Sequence, residues 1–172
     1  MLALVGNAVI HHFLILYIFR THFRHHLSDK AKKPGTRREA REAAIQFLFS
    51  HDLNDETLPD QCADFWELRT ARKKVRDFAN ELIGGVFDHC EELDRTIDAA
   101  SNNYSLDRLS AIDRNILRLA TYEILHRNDI PAPVTINEAI EIAKRFGTTE
   151  SPGFVNGVLD RIQHEHTQSE QD

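Results

Sequence analysis

The sequence predicts an all-α protein built from about six or seven packed helices. Of its 172 residues, 41% are hydrophobic and 28% are charged, which is typical of a soluble globular domain. Only 7 glycines and 5 prolines are available to separate elements, too few for many short strands. Helix-start sequences recur along the chain, and apolar residues follow them at helical spacing. Together these observations favour helices and give no indication of a sheet.

The length of the chain suits one domain with an appendage. We predict an N-terminal extension over residues 1–35, a helical domain over residues 36–165 and a disordered tail over residues 166–172. Within the extension, an apolar segment at residues 2–19 precedes a basic linker at residues 20–35.

The apolar segment at residues 2–19 has three interpretations. It carries no formal charge, and as a helix it would extend about 27 Å, just short of the hydrocarbon thickness of a bilayer. Three polar residues lie within it (Asn7, His11 and His12) and no basic stretch precedes it, so a secretory signal fits poorly. A membrane anchor, a non-essential extension and an over-long start assignment all stay open.

The linker makes the chain electrostatically asymmetric. The net charge is -6, yet residues 20–41 hold eight basic side chains against Asp29 and Glu39, giving that segment +6 and the remainder -12. A basic arm before an acidic body indicates contact with a polyanion. The linker histidines, His22, His25 and His26, have no carboxylate or cysteine at a ligating spacing and are predicted to be solvated.

Four segments predict helix starts. TRRE at 36–39, SAID at 110–113 and TINE at 135–138 each place a hydroxyl residue three before a carboxylate, as in a capping box. SPGF at 151–154 adds a serine cap followed by proline. Gly147 is predicted to end a helix, and Pro131 with Pro133 to form an extended connection.

The helix bodies follow from apolar residues at i, i+3 and i+4. The inward stripes are predicted at Ala40, Ala43, Ala44, Phe47 and Leu48; Val75, Phe78, Ala79, Leu82, Ile83 and Val86; Leu109, Ile112, Ile116, Ala120 and Ile124; Ile136, Ala139, Ile140 and Ala143; and Phe154, Val155, Val158, Leu159 and Ile162.

No catalytic motif is apparent, so neither an enzyme nor a cofactor is predicted. The sequence has no glycine-rich phosphate loop, no GxSxG elbow and no HExxH. Glu91, Glu92 and Asp94 are interpreted as a solvated helix face. Cys62 and Cys90 lack the spacing of a disulfide framework or a zinc site, which favours a reducing, cytoplasmic setting with no bound metal.

The first helix carries a basic stripe. Arg37, Arg38 and Arg41 are predicted to share its exposed side, near a helix N-terminus whose free N–H groups add positive charge. This arrangement favours phosphate contact. On spacing alone, the arginines could equally pair with Glu39 and Glu42 on a solvated face.

The C-terminal segment VTINEAIEIAKRFGTTESPGFVNGVLDRI at 134–162 closely resembles the signature of the NusB family. LSAIDRNILRLATYEILHRNDIPAPV at 109–134 and TRREAREAAIQFLFSHDL at 36–53 resemble two further segments of the family, the second being its arginine-rich first helix. The resemblance covers roughly residues 36–163, is weakest at 50–75 and leaves the first 35 residues unaccounted for.

The resemblance implies an all-α domain of two antiparallel bundles that binds the boxA element of ribosomal RNA leaders. It implies joint action with a small-subunit ribosomal protein that doubles as an antitermination factor, and through it with RNA polymerase. The expected function is therefore transcription antitermination, which promotes processive synthesis of ribosomal RNA. Some relatives self-associate, so a homodimer is also allowed.

The resemblance also implies the site residues. The RNA-binding set is Arg37, Arg38, Arg41, Glu150, Phe154 and Asn156, and the partner-binding set is Asp113 and Arg118. Phe154 either stacks on a base or is a plain core residue. Asp113 and Arg118 could instead form a surface pair. Glu39 and Gly153 stand where many relatives are basic, so we expect weaker RNA binding by the chain alone.

Two other functions are weighed. The helical domain also resembles the N-terminal part of ribosomal RNA cytosine methyltransferases, but such an enzyme needs a cofactor-binding α/β domain, and none follows before Asp172. A fragment or a stand-alone relative of such an enzyme stays open. Alternatively, residues 2–19 anchor a helical interaction module, with the adjacent basic residues Arg20, Arg24 and Lys30 on the cytoplasmic side.

Overall fold

The computed structural model describes residues 35–52, 58–101 and 105–169, and these form seven α-helices. Their bounds are α1 Thr36–His51, α2 Leu58–Leu68, α3 Lys73–Asp88, α4 Cys90–Ala100, α5 Ala111–His126, α6 Ala132–Phe146 and α7 Ser151–Ser169, with a short 3-10 turn at Leu106–Arg108. None of the described residues lies in a strand, so the all-α prediction is confirmed. Among them, no helix has both the length and the apolarity to cross a bilayer. The apolar segment at residues 2–19, with its three interpretations, and the linker histidines fall outside the described residues.

Helix α5 is the central element of the fold. It packs against α1, α3, α4, α6 and α7. Helix α2 packs on α1, and α7 packs on both α4 and α6. The connections that follow α5 and α6 are short, and α5 packs on α6 and α6 on α7, as in antiparallel helix pairs. The helix contacts form two groups that share α5, with α1, α2 and α3 in one and α4, α6 and α7 in the other, in agreement with the two bundles implied by the resemblance.

The predicted apolar stripes form the core that holds the helices together. Phe47 of α1 is fully buried, and its ring meets that of Phe65 of α2 edge to face with the centroids 5.5 Å apart. Phe78, Leu109, Ile112, Ile140 and Phe154 are only partly buried against this core. Helix α4 adds Leu93 and Ile97, one turn apart and both fully buried, which were not among the predicted stripes.

One of the three predicted capping boxes is confirmed. Ser110 is the N-cap of α5, where its Oγ accepts from the Asp113 backbone N–H at 3.1 Å and donates to Asp113 Oδ2 at 2.9 Å. The TRRE box is wrong, because Gly35 occupies the cap position of α1 without a side-chain cap and Thr36 is already helical. Here backbone geometry, rather than a hydroxyl cap, begins the helix.

The TINE prediction is also wrong, because α6 begins at Ala132, three residues before Thr135. Pro131 is the extended cap residue, and Pro133 lies in the first helical turn instead of an extended connection. Proline is tolerated there because the first N–H groups of a helix have no intrahelical partner. The Thr135 hydroxyl instead donates to Glu123 Oε2 across the core, at 2.8 Å.

Helix α7 differs from the prediction at both ends. Ser151 is its first residue rather than its cap, and the Ser151 hydroxyl accepts from the Thr148 backbone N–H at 2.9 Å. At the other end the helix continues to Ser169, so residues 166–169 are helical rather than part of a disordered tail. The predicted stop at Gly147 is confirmed, since α6 ends at Phe146.

Two adjacent glycines in α3 are expected to respond oppositely to alanine. A Cβ at Gly84 would meet no heavy atom within 4 Å, so Gly84→Ala should stabilise the protein by about 0.5–1 kcal/mol through helix propensity. A Cβ at Gly85 would overlap the ring of Tyr122 on α5, so Gly85→Ala should destabilise it by about 1–3 kcal/mol. Urea unfolding of both variants checks the pair, and equal effects would contradict the described packing of α3 on α5.

Candidate nucleic-acid interface

The three arginines of the predicted basic stripe lie in three different environments. The exposed fraction of the side chain is 60% for Arg37, 34% for Arg38 and 3% for Arg41. The predicted common exposed side is therefore wrong for Arg41. Its position on α1 faces the packed helices α5 and α6, whose carboxylates receive its guanidinium group.

Arg41 is the centre of a buried polar network. Its Nε donates to Glu123 Oε1 and Oε2 at 2.9 and 3.1 Å, and Glu123 is fully buried. The Thr135 hydroxyl also donates a hydrogen bond to that carboxylate, and Arg41 Nη1 lies 3.8 Å from Glu138 Oε2. Buried charges are tolerated only when paired and hydrogen-bonded. The network therefore fixes α1 against α5 and α6 and sets the position of the other two arginines.

Arg38 makes a bidentate ion pair with Glu138 of α6. Arg38 Nε and Nη2 donate to the two carboxylate oxygens at 2.9 and 2.6 Å. These hydrogen bonds lower the pKa of Glu138 below its ordinary value and raise the pKa of Arg38. Any phosphate that binds Arg38 must therefore compete with a well-oriented carboxylate.

The glutamates of α1 pair with arginines that the sequence analysis did not select. Glu39 accepts from Arg72 Nη2 at 2.8 Å, and Glu42 accepts from Arg145 Nη1 at 2.6 Å. Burial raises the pKa of Glu42, while Arg145 opposes that shift. The prediction that the stripe arginines pair with Glu39 and Glu42 is thus wrong in its partners. The basic run RTARKK at 69–74 was a signal that could have suggested Arg72.

These three ion pairs join α1 to its neighbours, α6 and the start of α3. We call this surface the arginine–glutamate face; it consists of Arg38, Arg72 and Arg145 with Glu138, Glu39 and Glu42. Each of its arginines is paired with one carboxylate, and a further positive charge, Arg69, lies near Glu39 and Glu42. The pairing reduces the electrostatic attraction of these arginines for RNA.

Arg37 is the most accessible arginine of the original stripe. Its guanidinium carbon lies 5.4 Å from the ring centroid of Phe78, and its Nη2 is 3.9 Å from Asp129 Oδ2. Asp129 is already engaged by Arg127, which donates to both of its oxygens at 2.8 and 3.2 Å and lowers its pKa. Arg37 is therefore held over an aromatic ring by a weak ionic contact, with most of its surface open to a ligand.

The remaining predicted RNA contacts lie at or near the start of α7, a few residues after Arg145 of the arginine–glutamate face. Arg145 stacks on Phe146 at the end of α6, with its guanidinium carbon 5.0 Å from the ring centroid. Phe154 is half-buried against the core, which leaves part of its ring accessible. Asn156 donates to Asp160 Oδ2 at 2.9 Å, while Glu150 is exposed.

Asp113 and Arg118 do not form the alternative surface pair with each other. Asp113 is largely buried and engages Ser110 at the start of α5. Arg118 makes a bidentate pair with Asp94 of α4, with both distances 2.7 Å. The interpretation of Asp94 as a solvated residue is therefore wrong. Both predicted partner residues shape the N-terminal half of α5 by internal bonds.

Comparison with known proteins identifies one family. The family model described as the NusB family matches residues 38–164. The protein named transcription antitermination protein NusB from Trichlorobacter lovleyi is 46% identical over 129 residues, which are 75% of this chain and 91% of the relative. The protein of the same name from Desulfotalea psychrophila is 49% identical over 132 residues, covering 73% of this chain and 94% of the relative.

Solved structures give the same match. NusB of T. maritima aligns with a TM-score of 0.70 at 44% identity, covering 82% of this chain and 98% of that one. A chain from a structure of the antitermination factors NusB and NusE in complex with double-stranded RNA aligns with a TM-score of 0.69 at 27% identity, covering 76% of this chain and 97% of that one.

Proposed function

Because the chain belongs to the NusB family, we propose that it is a transcription antitermination factor that binds boxA-type RNA of ribosomal RNA leaders together with a small-subunit ribosomal protein. The observation that carries this proposal is the family match across residues 38–164, with relatives of that function matched over more than nine-tenths of their length. The protein acts in the cytoplasm and by binding rather than catalysis.

The RNA surface is centred on the start of α1. Arg37 supplies an accessible guanidinium group beside the ring of Phe78. Arg38 supplies a second guanidinium group, which must break its ion pair with Glu138 before it can bind phosphate. The helix N-terminus adds free N–H groups that favour phosphate. Arg41 acts as a positioning residue because its guanidinium is buried against Glu123.

The start of α7 extends this surface. Phe154 retains partial exposure for stacking on an unpaired base, and Asn156 offers an amide for hydrogen bonding. Glu150 is also exposed and lies one turn before Phe154. Its backbone carbonyl accepts a hydrogen bond from the Phe154 backbone N–H at 3.1 Å. A single-stranded segment crossing from α1 to α7 would pass the guanidinium group of Arg145.

The partner is proposed to be a protein of the NusE type, since one matched structure contains NusE with its NusB. Its contact surface is the N-terminal half of α5, where Ser110 and Asp113 fix the helix start and Arg118 ties α5 to α4. Because the arginines of the arginine–glutamate face are each paired with a carboxylate, the partner is expected to supply much of the affinity for RNA and the link to RNA polymerase.

The alternatives have less support. The methyltransferase-type function would require a cofactor domain, whereas the relatives matched over most of their own length carry the antitermination name. A tether at residues 2–19 concerns a segment outside the described residues and would be compatible with RNA binding. Self-association, which would compete with RNA for the same face, is a further proposal for the free protein.

A reconstituted transcription assay tests this function. Terminator read-through is measured on a template with a boxA-containing leader and on a matched template with a scrambled boxA, with the full chain and the NusE-type partner present or omitted. We expect the chain to raise read-through only on the boxA template and only with the partner. Equal read-through on both templates would refute the antitermination role.

A further inference from the structure

A cluster of two histidines and one glutamate lies where the junction of α3 and α4 meets the end of α5. His89 separates α3 from α4, Glu92 lies in the first turn of α4, and His126 is the last residue of α5. One carboxylate oxygen, Glu92 Oε2, is 3.1 Å from His89 Nδ1 and 3.2 Å from His126 Nε2. The imidazole rings stack with their centroids 3.9 Å apart. Three donor atoms of metal-ligating type therefore gather within 4.8 Å of one another.

We propose that His89, Glu92 and His126 bind a divalent transition-metal ion, with Zn²⁺ as the best-fitting ion. Zinc–nitrogen and zinc–oxygen bonds of about 2.0–2.1 Å place neighbouring ligand atoms of a tetrahedral site about 3.3 Å apart. The two distances from Glu92 Oε2 to the ring nitrogens are close to that spacing. Because the two ring planes are only 25° apart, binding requires one imidazole to leave the stack so that both nitrogen lone pairs converge on the ion.

An unsatisfied nitrogen supports this assignment independently. His126 Nε2 is buried from solvent yet has no hydrogen-bond partner, because its 3.2 Å contact with Glu92 lacks hydrogen-bond geometry. Buried polar atoms without a partner are rare and costly. A metal ion beside Glu92 would accept this lone pair and that of His89 together.

The donor set selects the class of ion. Two imidazoles and one carboxylate favour zinc and neighbouring transition metals over Mg²⁺ and Ca²⁺, which prefer oxygen ligands. His89 and Glu92 are 38% and 45% exposed, so an ion can enter from solvent and keep a water as its fourth ligand. Binding would join the α3–α4 junction to the end of α5. The last residue of α5, His126, immediately precedes Arg127, which pairs with Asp129.

Calorimetric titration with ZnCl₂ tests the proposal, using the full chain, His126→Gln, His89→Gln and the control His164→Gln. His164 is an exposed histidine of α7 outside the cluster, hydrogen-bonded to the exposed Gln168, so its loss leaves the cluster intact. The histidines of residues 1–34 are kept in every protein, so the result is the difference in stoichiometry between variant and wild type. Helical circular dichroism verifies that each variant is folded.

We expect wild type and the His164 control to bind one more Zn²⁺ than either cluster variant, or to bind it at least about tenfold more tightly. Zn²⁺ at about a hundredfold its Kd should also raise the Tm by about 5 °C or more, and the cluster variants should lose this shift. Excess Mg²⁺ should not compete. Equal stoichiometry, affinity and Tm shift in all four proteins would overturn the proposal.

Discussion

Replacing Glu123 with alanine is expected to lower the free energy of unfolding by about 3–5 kcal/mol. The change leaves the guanidinium of Arg41, itself only 3% exposed, in the core with only the longer 3.8 Å contact to Glu138. It also removes the acceptor of the Thr135 hydroxyl. Because this network holds α1 on α5 and α6, RNA affinity should fall along with stability. Urea unfolding followed by circular dichroism measures the effect.

An exposed ion pair provides the control for Glu123. Lys73 and Asp77 form an i, i+4 pair on α3 with side chains 88% and 51% exposed, so Asp77→Ala should change stability by less than about 1 kcal/mol. The double variant Arg41→Met with Glu123→Leu should recover much of the loss, since no buried charge is left unpaired. A loss below about 1 kcal/mol for Glu123→Ala would show that the Arg41 network is not structural.

Replacing Arg37 with alanine is expected to weaken binding of boxA-type RNA about tenfold, the value of one charged hydrogen bond to phosphate. The slope of log K against log salt should also fall by about one. Stability should be nearly unchanged, because Arg37 is 60% exposed and makes only a 3.9 Å ionic contact and a contact with the exposed edge of the core at Phe78. Fluorescence anisotropy at several salt concentrations measures both quantities.

Two further variants show whether the effect of Arg37 is specific to this surface or a general effect of charge. Arg95 is an exposed arginine of α4, so Arg95→Ala removes the same charge elsewhere and should leave RNA affinity within about twofold of wild type. Glu39→Gln should instead strengthen binding several-fold, because it releases Arg72 from its carboxylate partner. If Arg95→Ala weakens binding as much as Arg37→Ala, the effect is general electrostatics rather than a located site.

Helix positions could be predicted because their signals are local. Ser110 caps α5 as its sequence context indicates, and Gly147 follows the end of α6. Thr135 has the same capping signature as Ser110 but lies inside α6, because its hydroxyl is used by Glu123 on α5. No local pattern distinguishes these cases, since the competing acceptor comes from another helix.

The candidate site was harder to predict than the fold for the same reason. Arg41 shares its spacing with Arg37 and Arg38, yet it is buried by Glu123, a residue 82 positions away. The pairing of Glu39 with Arg72 likewise depends on how α3 begins beside α1. His89 and His126 are unremarkable in sequence and meet only because α4 packs on α5. Tertiary packing thus decides which charged side chains are available to a ligand.

The most direct test of the proposed function is a titration of fluorescent single-stranded boxA RNA with the full chain, alone and with the NusE-type partner. A scrambled strand and a double-stranded boxA competitor serve as specificity controls. We expect weak binding alone, at least about tenfold tighter binding with the partner, and loss of that gain on the scrambled strand. No binding in either condition, with the helical circular dichroism intact, would contradict the RNA-binding function.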